Sequence, residues 1–477
     1  MTDTVDDVEK PEQPDKPERS PGAKFLLVLL TGFLLAIPLF ASWLLIYDRQ
    51  SQSEQAEQSI VTGWGGKQVF AGPKIILPYK AKVQESVEQD GKTVTRTNVV
   101  NRELFISPEI MTFDSDIQTE VKSRSIYEVV IYNTNVTGSA SFKLPEDFNR
   151  SGIDPADIDF TRAEIRFGLS DARGLSAENK LTVNGENLVL QPGKGLGETG
   201  NTGFFSWLDA TALAEGEIAV KFDVKFRGTE SLTMVPDAGQ TNWSVSSKWP
   251  HPSFTGGFLP DNEVTETGFT AQYGISNLAL GSSLTSTQAG QQVYPQETSR
   301  SFDSYGGGNN AANASSVTVN LIQPVDLYDQ VSRATKYGFL FIGFTFVAFL
   351  LFDLIGGVRI SSVQYILVGV ALILFFILLL AFAEIIGFAW AYIVASAATI
   401  GLITAYAASV LSSWRRASII GGLLAALYGV IYILLSLEAY SLLIGSLLIF
   451  AALAGVMFVT RRLDWSRSLQ KGPATQG

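Results

Sequence analysis

The sequence predicts a membrane protein: an α-helical transmembrane bundle of six spans carrying a large, mainly antiparallel, sandwich-like β domain exported across the membrane. Three observations predict it. Apolar residues are concentrated in the charge-free run Phe25–Tyr47 and from near Lys336 almost to the C-terminus. Between them, residues 48–335 show the period-two alternation of strands. The Lys and Arg residues that flank the apolar runs gather mostly on one side, with Arg49 an exception. The average composition hides this division: 46% apolar, 17% charged and a mean hydropathy of +0.20, where a soluble chain carries about a quarter charged residues.

Taken in order, residues 1–24 are rich in Asp, Glu, Pro and Lys and read as a disordered tail. Phe25–Tyr47 is 23 residues without a charge, enough to cross a bilayer core that needs about 20. A signal peptide would have a shorter apolar region and a small-x-small cleavage site. Asp48-Arg49-Gln50 follows here instead, so the segment reads as an uncleaved anchor, 25–47.

The exported domain is expected at 48–335. Ile218, Val220, Phe222, Val224 and Phe226 alternate with Ala219, Lys221, Asp223 and Lys225, the pattern of a strand with one wet face. Asn184-Gly185 between Leu181-Thr182-Val183 and Leu188-Val189-Leu190 signals a hairpin. Ile126–Tyr132, Phe269–Tyr273 and Val317–Leu321 read as further strands. Strands and helices do not alternate, which argues against a parallel α/β sheet. Residues 281–316, rich in Ser, Gln, Gly and Asn, read as a flexible loop.

Five spans can be cut from the C-terminal region 336–460, at 338–355, 363–383, 388–411, 418–435 and 440–459. Their short breaks force antiparallel neighbours. A basic tail, 461–477, closes the chain. With six spans both termini share a side with Arg359, Arg415, Arg416, Arg461, Arg462, Arg467 and Lys471. The positive-inside rule makes that side cytoplasmic. In the fourth span Ala391, Ala395, Ala398, Ala405 and Ser409 suggest a close-packing face.

Charge and composition exclude much chemistry. The net charge is −11, made of −3 in the tail, −12 in the exported region and +4 after residue 335. Such a chain is a poor match to nucleic acid. It has no cysteine and a single histidine, His251. Disulfides, thiolate sites and multi-histidine metal centres are therefore closed, and no cofactor or metal is expected.

Six residues stand out as candidates. Glu384 and Glu438 lie at span ends, where they could handle protons or cations or simply keep the outer loops free of positive charge. Asp353, near the inner end of the second span, suits an ion pair with Arg359 or another cytoplasmic-side arginine. His251, stiffened between Pro250 and Pro252, suits a general base or a turn residue half-packed on Trp249 or Phe254. Asp171 and Arg173 suit a tight turn closed by a side-chain hydrogen bond, or capture of an acidic ligand by Arg173.

Several strings go further: Gly72-Pro73-Lys74-Ile75-Ile76-Leu77-Pro78-Tyr79, Arg124–Tyr132, Ser170-Asp171-Ala172-Arg173-Gly174, Trp249-Pro250-His251-Pro252-Ser253-Phe254, Gln323-Pro324-Val325-Asp326-Leu327-Tyr328, Arg333–Tyr337, Val363–Gly369 and Ala383–Phe388. In this order, from about residue 25 to 465, the chain resembles the CreD family of bacterial inner-membrane proteins. The resemblance implies a place in the inner membrane and a link to the CreBC two-component regulon and cell-envelope integrity, including tolerance to colicins and β-lactams. It implies no enzymatic activity. The chain departs from the family pattern at Ser362, at Ile385, where a His commonly follows the Glu, and at Ala439, where an Asp commonly does.

The expectation is thus a non-enzymatic, multi-pass inner-membrane protein with a periplasmic β domain. Its partners would be the lipid bilayer and an envelope ligand or periplasmic protein, with no nucleic acid. A transporter or flippase built on the bundle is the alternative, and an envelope hydrolase using His251 the remote one.

Overall fold

In lipid, a charge-free segment satisfies its backbone only by closing its own hydrogen bonds, so each long apolar run must be helical. A computed structural model shows this. It describes residues 21–89, 92–124, 127–145, 148, 152–214, 216–294, 315–322, 327–355, 360–436 and 441–461. The sequence-predicted tails fall almost wholly outside these residues, as do Glu438, Arg359 and 295–314 of the expected loop. The chain divides into two compact units, one of residues 1–52 and 325–477, the other of 53–324.

The first unit is helical. Helix α1 (Pro21–Trp64) runs well past the expected anchor. It is followed by α2 (Leu327–Lys336), α3 (Gly338–Ile355), α4 (Ser362–Ile386), α5 (Phe388–Val410), α6 (Trp414–Ser436) and α7 (Ser441–Thr460). Among the described residues four of these are long and apolar enough to cross a membrane, or five if α2 and α3, bent by 40°, make one span. The chain starts α4 with a capping box: Gln364 N–H donates to Ser361 Oγ, and Ser361 N–H to Gln364 Oε1.

Packing in this unit centres on rings. Phe341 of α3 meets Tyr428 of α6 at 4.4 Å, and Phe375 of α4 meets Tyr392 of α5 at 5.5 Å. The Tyr392 hydroxyl donates to the Tyr428 carbonyl at 2.8 Å. The small-residue face of α5 needs correction. Ala391 and Ala395 are buried, but Ala398, Ala405 and Ser409 are exposed. The buried row is Ala391, Ala395, Thr399, Ile403 and Ala407, which keeps strict i+4 steps.

The second unit contains the end of α1 and strands β1 (Gln68–Gln89), β2 (Lys92–Ile106), β3 (Ile110–Arg124), β4 (Tyr127–Lys143), β5 (Ala163–Leu169), β6 (Lys180–Val183), β7 (Glu186–Leu188), β8 (Gln191–Pro192) and β9 (Gly203–Leu208). After these come β10 (Glu217–Thr229), β11 (Ser231–Val235), β12 (Gln240–Ser247), β13 (Pro252–Gly256), β14 (Asp261–Thr265), β15 (Gly268–Ser276), β16 (Thr285–Ser286) and β17 (Val317–Leu321). One sheet runs β13-β17-β11-β1-β5-β9-β8, with β2 on β1 and β16 on β2. The other runs β14-β15-β12-β3-β4-β10-β6-β7.

Both sheets are mixed. β1 with β11, and β3 with β12, are parallel, and the other described pairings are antiparallel. A parallel neighbour needs a long crossover, and here β11 and β12 return only after the chain has visited other strands. Alternation places the core as read: Ile218, Val220, Phe222, Val224 and Phe226 are all buried. Phe70 of β1 stacks on Phe226 of β10 at 6.0 Å, and Phe167 of β5 meets Phe222 edge-on at 5.5 Å, so the two sheets share this core. Asn184 and Gly185, both at positive φ, turn β6 into β7. Part of the expected loop is built in: β16 pairs with β2, and Val293 is buried against Val69, Ile76 and Leu196.

Candidate functional site

The candidate residues of the helical unit meet local partners. Lys24 of α1 donates to Asp353 at 2.8 Å, and the Asp353 side chain is nearly fully buried. The expected partner was an arginine; the lysine of α1 takes that place because its turn faces α3. Glu384, partly buried, accepts from the Tyr328 hydroxyl at 3.2 Å. The structure therefore joins Glu384 to α2.

His251 is exposed, and its carbonyl accepts from Ile322 N–H at 3.2 Å. Trp249 beside it packs against the core, donating its indole N–H to the Ile322 carbonyl at 3.0 Å.

Asp171 and Arg173 form a clasp on the end of α1. Asp171 caps a 3-10 turn, Ala172–Gly174. Its Oδ1 accepts from Arg173 N–H at 3.1 Å and Nε at 2.9 Å. Its Oδ2 accepts from Arg173 Nη2 at 2.7 Å and Gly66 N–H at 3.0 Å. Arg173 Nη1 donates to the Thr62 carbonyl at 3.0 Å, one of the last carbonyls of α1, which have no partner inside the helix. The hydrogen bonds from Arg173 hold the Asp171 carboxyl below the usual range, against a smaller upward push from burial. Gln68 backs the clasp by donating to the Asp171 carbonyl at 3.1 Å and the Arg227 carbonyl at 2.8 Å. Gly174 is required, since a Cβ there would lie 2.3 Å from the Arg227 carbonyl oxygen. Beyond the clasp, the Trp64 ring is held between Lys122 Nζ at 4.5 Å and the Arg227 guanidinium at 4.7 Å.

The outer face of the β1–β5 sheet hides an ion network. Lys74 of β1 and Arg166 of β5 are register neighbours. Lys74 pairs with Glu198 at 2.6 Å and also with Asp237. Arg166 pairs with Glu103 at 2.5 Å and Glu164 at 2.8 Å, and Lys194 binds Glu164 at 2.5 Å. Lys74, Glu198, Glu164 and Arg166 are all buried. Burial pulls the Lys74 ammonium down, but Asp237 and Glu198 outweigh it and hold it above the usual lysine range. Burial pushes the Asp237 carboxyl above its usual range despite Lys74. The cover comes from Gly197–Thr199 and residues 290–293. Val293 N–H donates to the Glu198 carbonyl at 2.8 Å, and Gly290 lies so close to the Glu198 carboxylate that a Cβ would clash.

The outer face of the β3–β4–β10 sheet is open. The register sets polar side chains in rows across three strands. One row is Gln118, Asn133 and Arg227; the next is Asp116, Asn135 and Lys225; the third is Asp114, Thr137 and Asp223. The first two rows floor a groove of about 700 Å³, walled by Gly174, Leu175 and Ser176. Ser176 N–H donates to the Lys225 carbonyl at 2.9 Å, which fixes that wall. Asp116 accepts from Gln118 at 3.0 Å but meets no cation among the described residues. Lys225 has a loose surface pair with Glu178 at 3.2 Å, and Arg227 has no carboxylate partner among the described residues.

The candidates read from sequence do not converge: Glu384 and Asp353 belong to the helical unit, and His251 and the Asp171–Arg173 clasp lie apart on the β unit's strands and turns. Only the clasp adjoins the groove, through Gly174 and Arg227. No group of three or more metal-ligating side chains occurs among the described residues. The rows were missed because single-strand alternation shows a wet face without showing which residues stand side by side. The ion network had a signal, Lys74 directly before Ile75-Ile76-Leu77 in an otherwise apolar run.

Comparison with known proteins identifies the family. The family model described as inner membrane protein CreD matches residues 20–466. The chain is similar to inner membrane protein CreD of Escherichia coli (strain K12), 32% identical over 437 residues, covering 91% of each chain.

Proposed function

We propose, given that the chain belongs to the CreD family of inner-membrane proteins, that it supports cell-envelope integrity under stress by binding an envelope component in the groove of its β unit. The observation that carries this reading is the groove itself: charged and amide side chains in register, open to solvent, on a unit tethered to membrane helices. Pre-set polar groups in a concave site are what ligand recognition needs. The protein acts by binding, without catalysis.

The reading includes a topology. Six helices cross the membrane, both termini are cytoplasmic, and the two sheets form a periplasmic sandwich spanning the sequence-predicted 48–335. Charge supports it: the exported region carries −12 and the chain after residue 335 carries +4. The absence of cysteine in the natural sequence makes single-cysteine labelling clean. Ser176→Cys should react with an impermeant maleimide in intact spheroplasts, and Ser413→Cys only after lysis.

The function is tested by complementation. A strain lacking the gene, with no paralogue, should lose tolerance to envelope stress. The wild-type gene should restore it, and a groove-filling Asn135→Trp variant, expressed equally and folded, should not. Full tolerance in the deletion strain, or full rescue by Asn135→Trp, sinks the reading.

A further inference from the structure

The rows in the groove are polarised. Among the residues lining the groove, Asp116 stands on the β3 side, and Lys225 and Arg227 stand on the β10 side. Asn133 and Asn135 of β4 lie between them. Neighbouring strands are about 4.8 Å apart, so the β3 and β10 backbones of a row lie about 10 Å apart. Asp116 bonds to Gln118 and Lys225 to Glu178, and the two do not pair with one another. Asp116 has no cation among the described residues, Arg227 stacks only on Trp64, and Lys225 keeps one exposed pair. Exposed pairs contribute about 0–1 kcal/mol, so a ligand can take Lys225 from Glu178 at little cost.

Nothing in the described fold joins the two sides, and complementary charge says what would. Resting on the groove function proposed above, we infer that the ligand is a short extended peptide with a free ammonium and a free carboxylate. The ammonium is received by Asp116, and the carboxylate by Lys225 and Arg227. An extended chain covers about 3.3–3.6 Å per residue, so about three residues span the row. The amides of Asn133, Asn135 and Gln118 can both donate and accept, which suits the peptide groups between the two ends. A neutral glycan would leave both charged edges unused.

The test uses the full-length protein in detergent micelles and calorimetric titration with trialanine, N-acetyl-trialanine and trialanine amide. Free trialanine should bind, and each blocked form should bind at least tenfold more weakly. The Asp116→Asn variant should lose the penalty for acetylation, and Lys225→Gln with Arg227→Gln the penalty for amidation. Both variants lie on an exposed face, and circular dichroism checks that they fold. Equal binding of the three peptides overturns the inference. Binding of an N-acetylglucosamine trimer or of glycerophosphoethanolamine in place of trialanine, abolished by Asn135→Trp, overturns the peptide class while the groove reading stands. No binding by any probe overturns the peptide, and rescue of stress tolerance by Asn135→Trp then removes the groove function as well.

Discussion

The two sheets of the β unit solve the same problem in opposite ways. Each has one face in the shared core and one face of charged side chains. On the β1–β5 sheet Lys74, Glu198, Glu164 and Arg166 are buried, the 290–293 segment closes over Glu198, and Lys74, Arg166 and Lys194 each meet carboxylates. On the β3–β4–β10 sheet the charges stay uncovered, and Asp116 and Lys225 are set two strands apart. Covered charges must be paired because desolvation costs several kcal/mol per ion. Uncovered ones need no partner and are left available. The first face is therefore built for stability and the second for contact.

The sharpest break of this contrast is Lys74→Met. It leaves Glu198 and Asp237 buried without their cation and should destabilise the β unit by about 3–5 kcal/mol. Chemical unfolding followed by circular dichroism measures it. Adding Glu198→Gln and Asp237→Asn should recover much of the loss, since no buried charge is then left alone. A loss under about 1 kcal/mol for Lys74→Met would mean that the face is not closed.

A smaller effect is expected at Trp64, beside the open face. Trp64→Leu removes two cation–π contacts worth about 0.5–1 kcal/mol each, for a total of about 1–2 kcal/mol. The double-mutant cycle with Lys122→Met isolates one of them. A coupling of zero would show that the cation merely lies near the ring.

The clasp gives a pH test of similar or smaller size. The Asp171 carboxyl is held below its ordinary range in the folded chain. Its contribution is therefore present above the unfolded value, about 3.9, and is lost as pH falls through the folded value. Asp171→Asn should cost about 1 kcal/mol near neutral pH, given the hydrogen bonds lost. The gap between variant and wild type should close in acid. A gap that stays constant down to pH 2 would assign the loss to the turn backbone alone.

What could be read from sequence follows from the range of each signal. Apolar length is local, so Phe25–Tyr47 and the C-terminal helices were legible, and so was the inward set from Ile218 to Phe226. The Asn184-Gly185 turn was legible for the same reason. Covering is not local. Glu164 and Arg166 look like a wet face in Ala163–Leu169, yet both are buried and paired with Lys194 and Glu103, which come from distant segments. Register is not local either: Asp116, Asn135 and Lys225 become one row only when three strands are aligned. The same limit explains Asp353, whose cation comes from Lys24, 329 positions away.

The smallest expected effect is on the open face and separates contact from stability most cleanly. Asp116→Ala removes an exposed carboxylate whose one bond is to its neighbour Gln118. Surface changes of this kind alter stability by under about 0.5 kcal/mol, so the unfolding midpoint should hardly move. Stress tolerance should nevertheless fall, because the acidic side of the groove is lost. The buried face predicts the reverse: a variant there, such as Lys74→Met, should lower tolerance only as far as it lowers the amount of folded protein. Plotting tolerance against folded amount for both variants distinguishes the two. If Asp116→Ala falls on the same line as Lys74→Met, the open face has no role beyond folding, and the contrast between the sheets is one of stability alone.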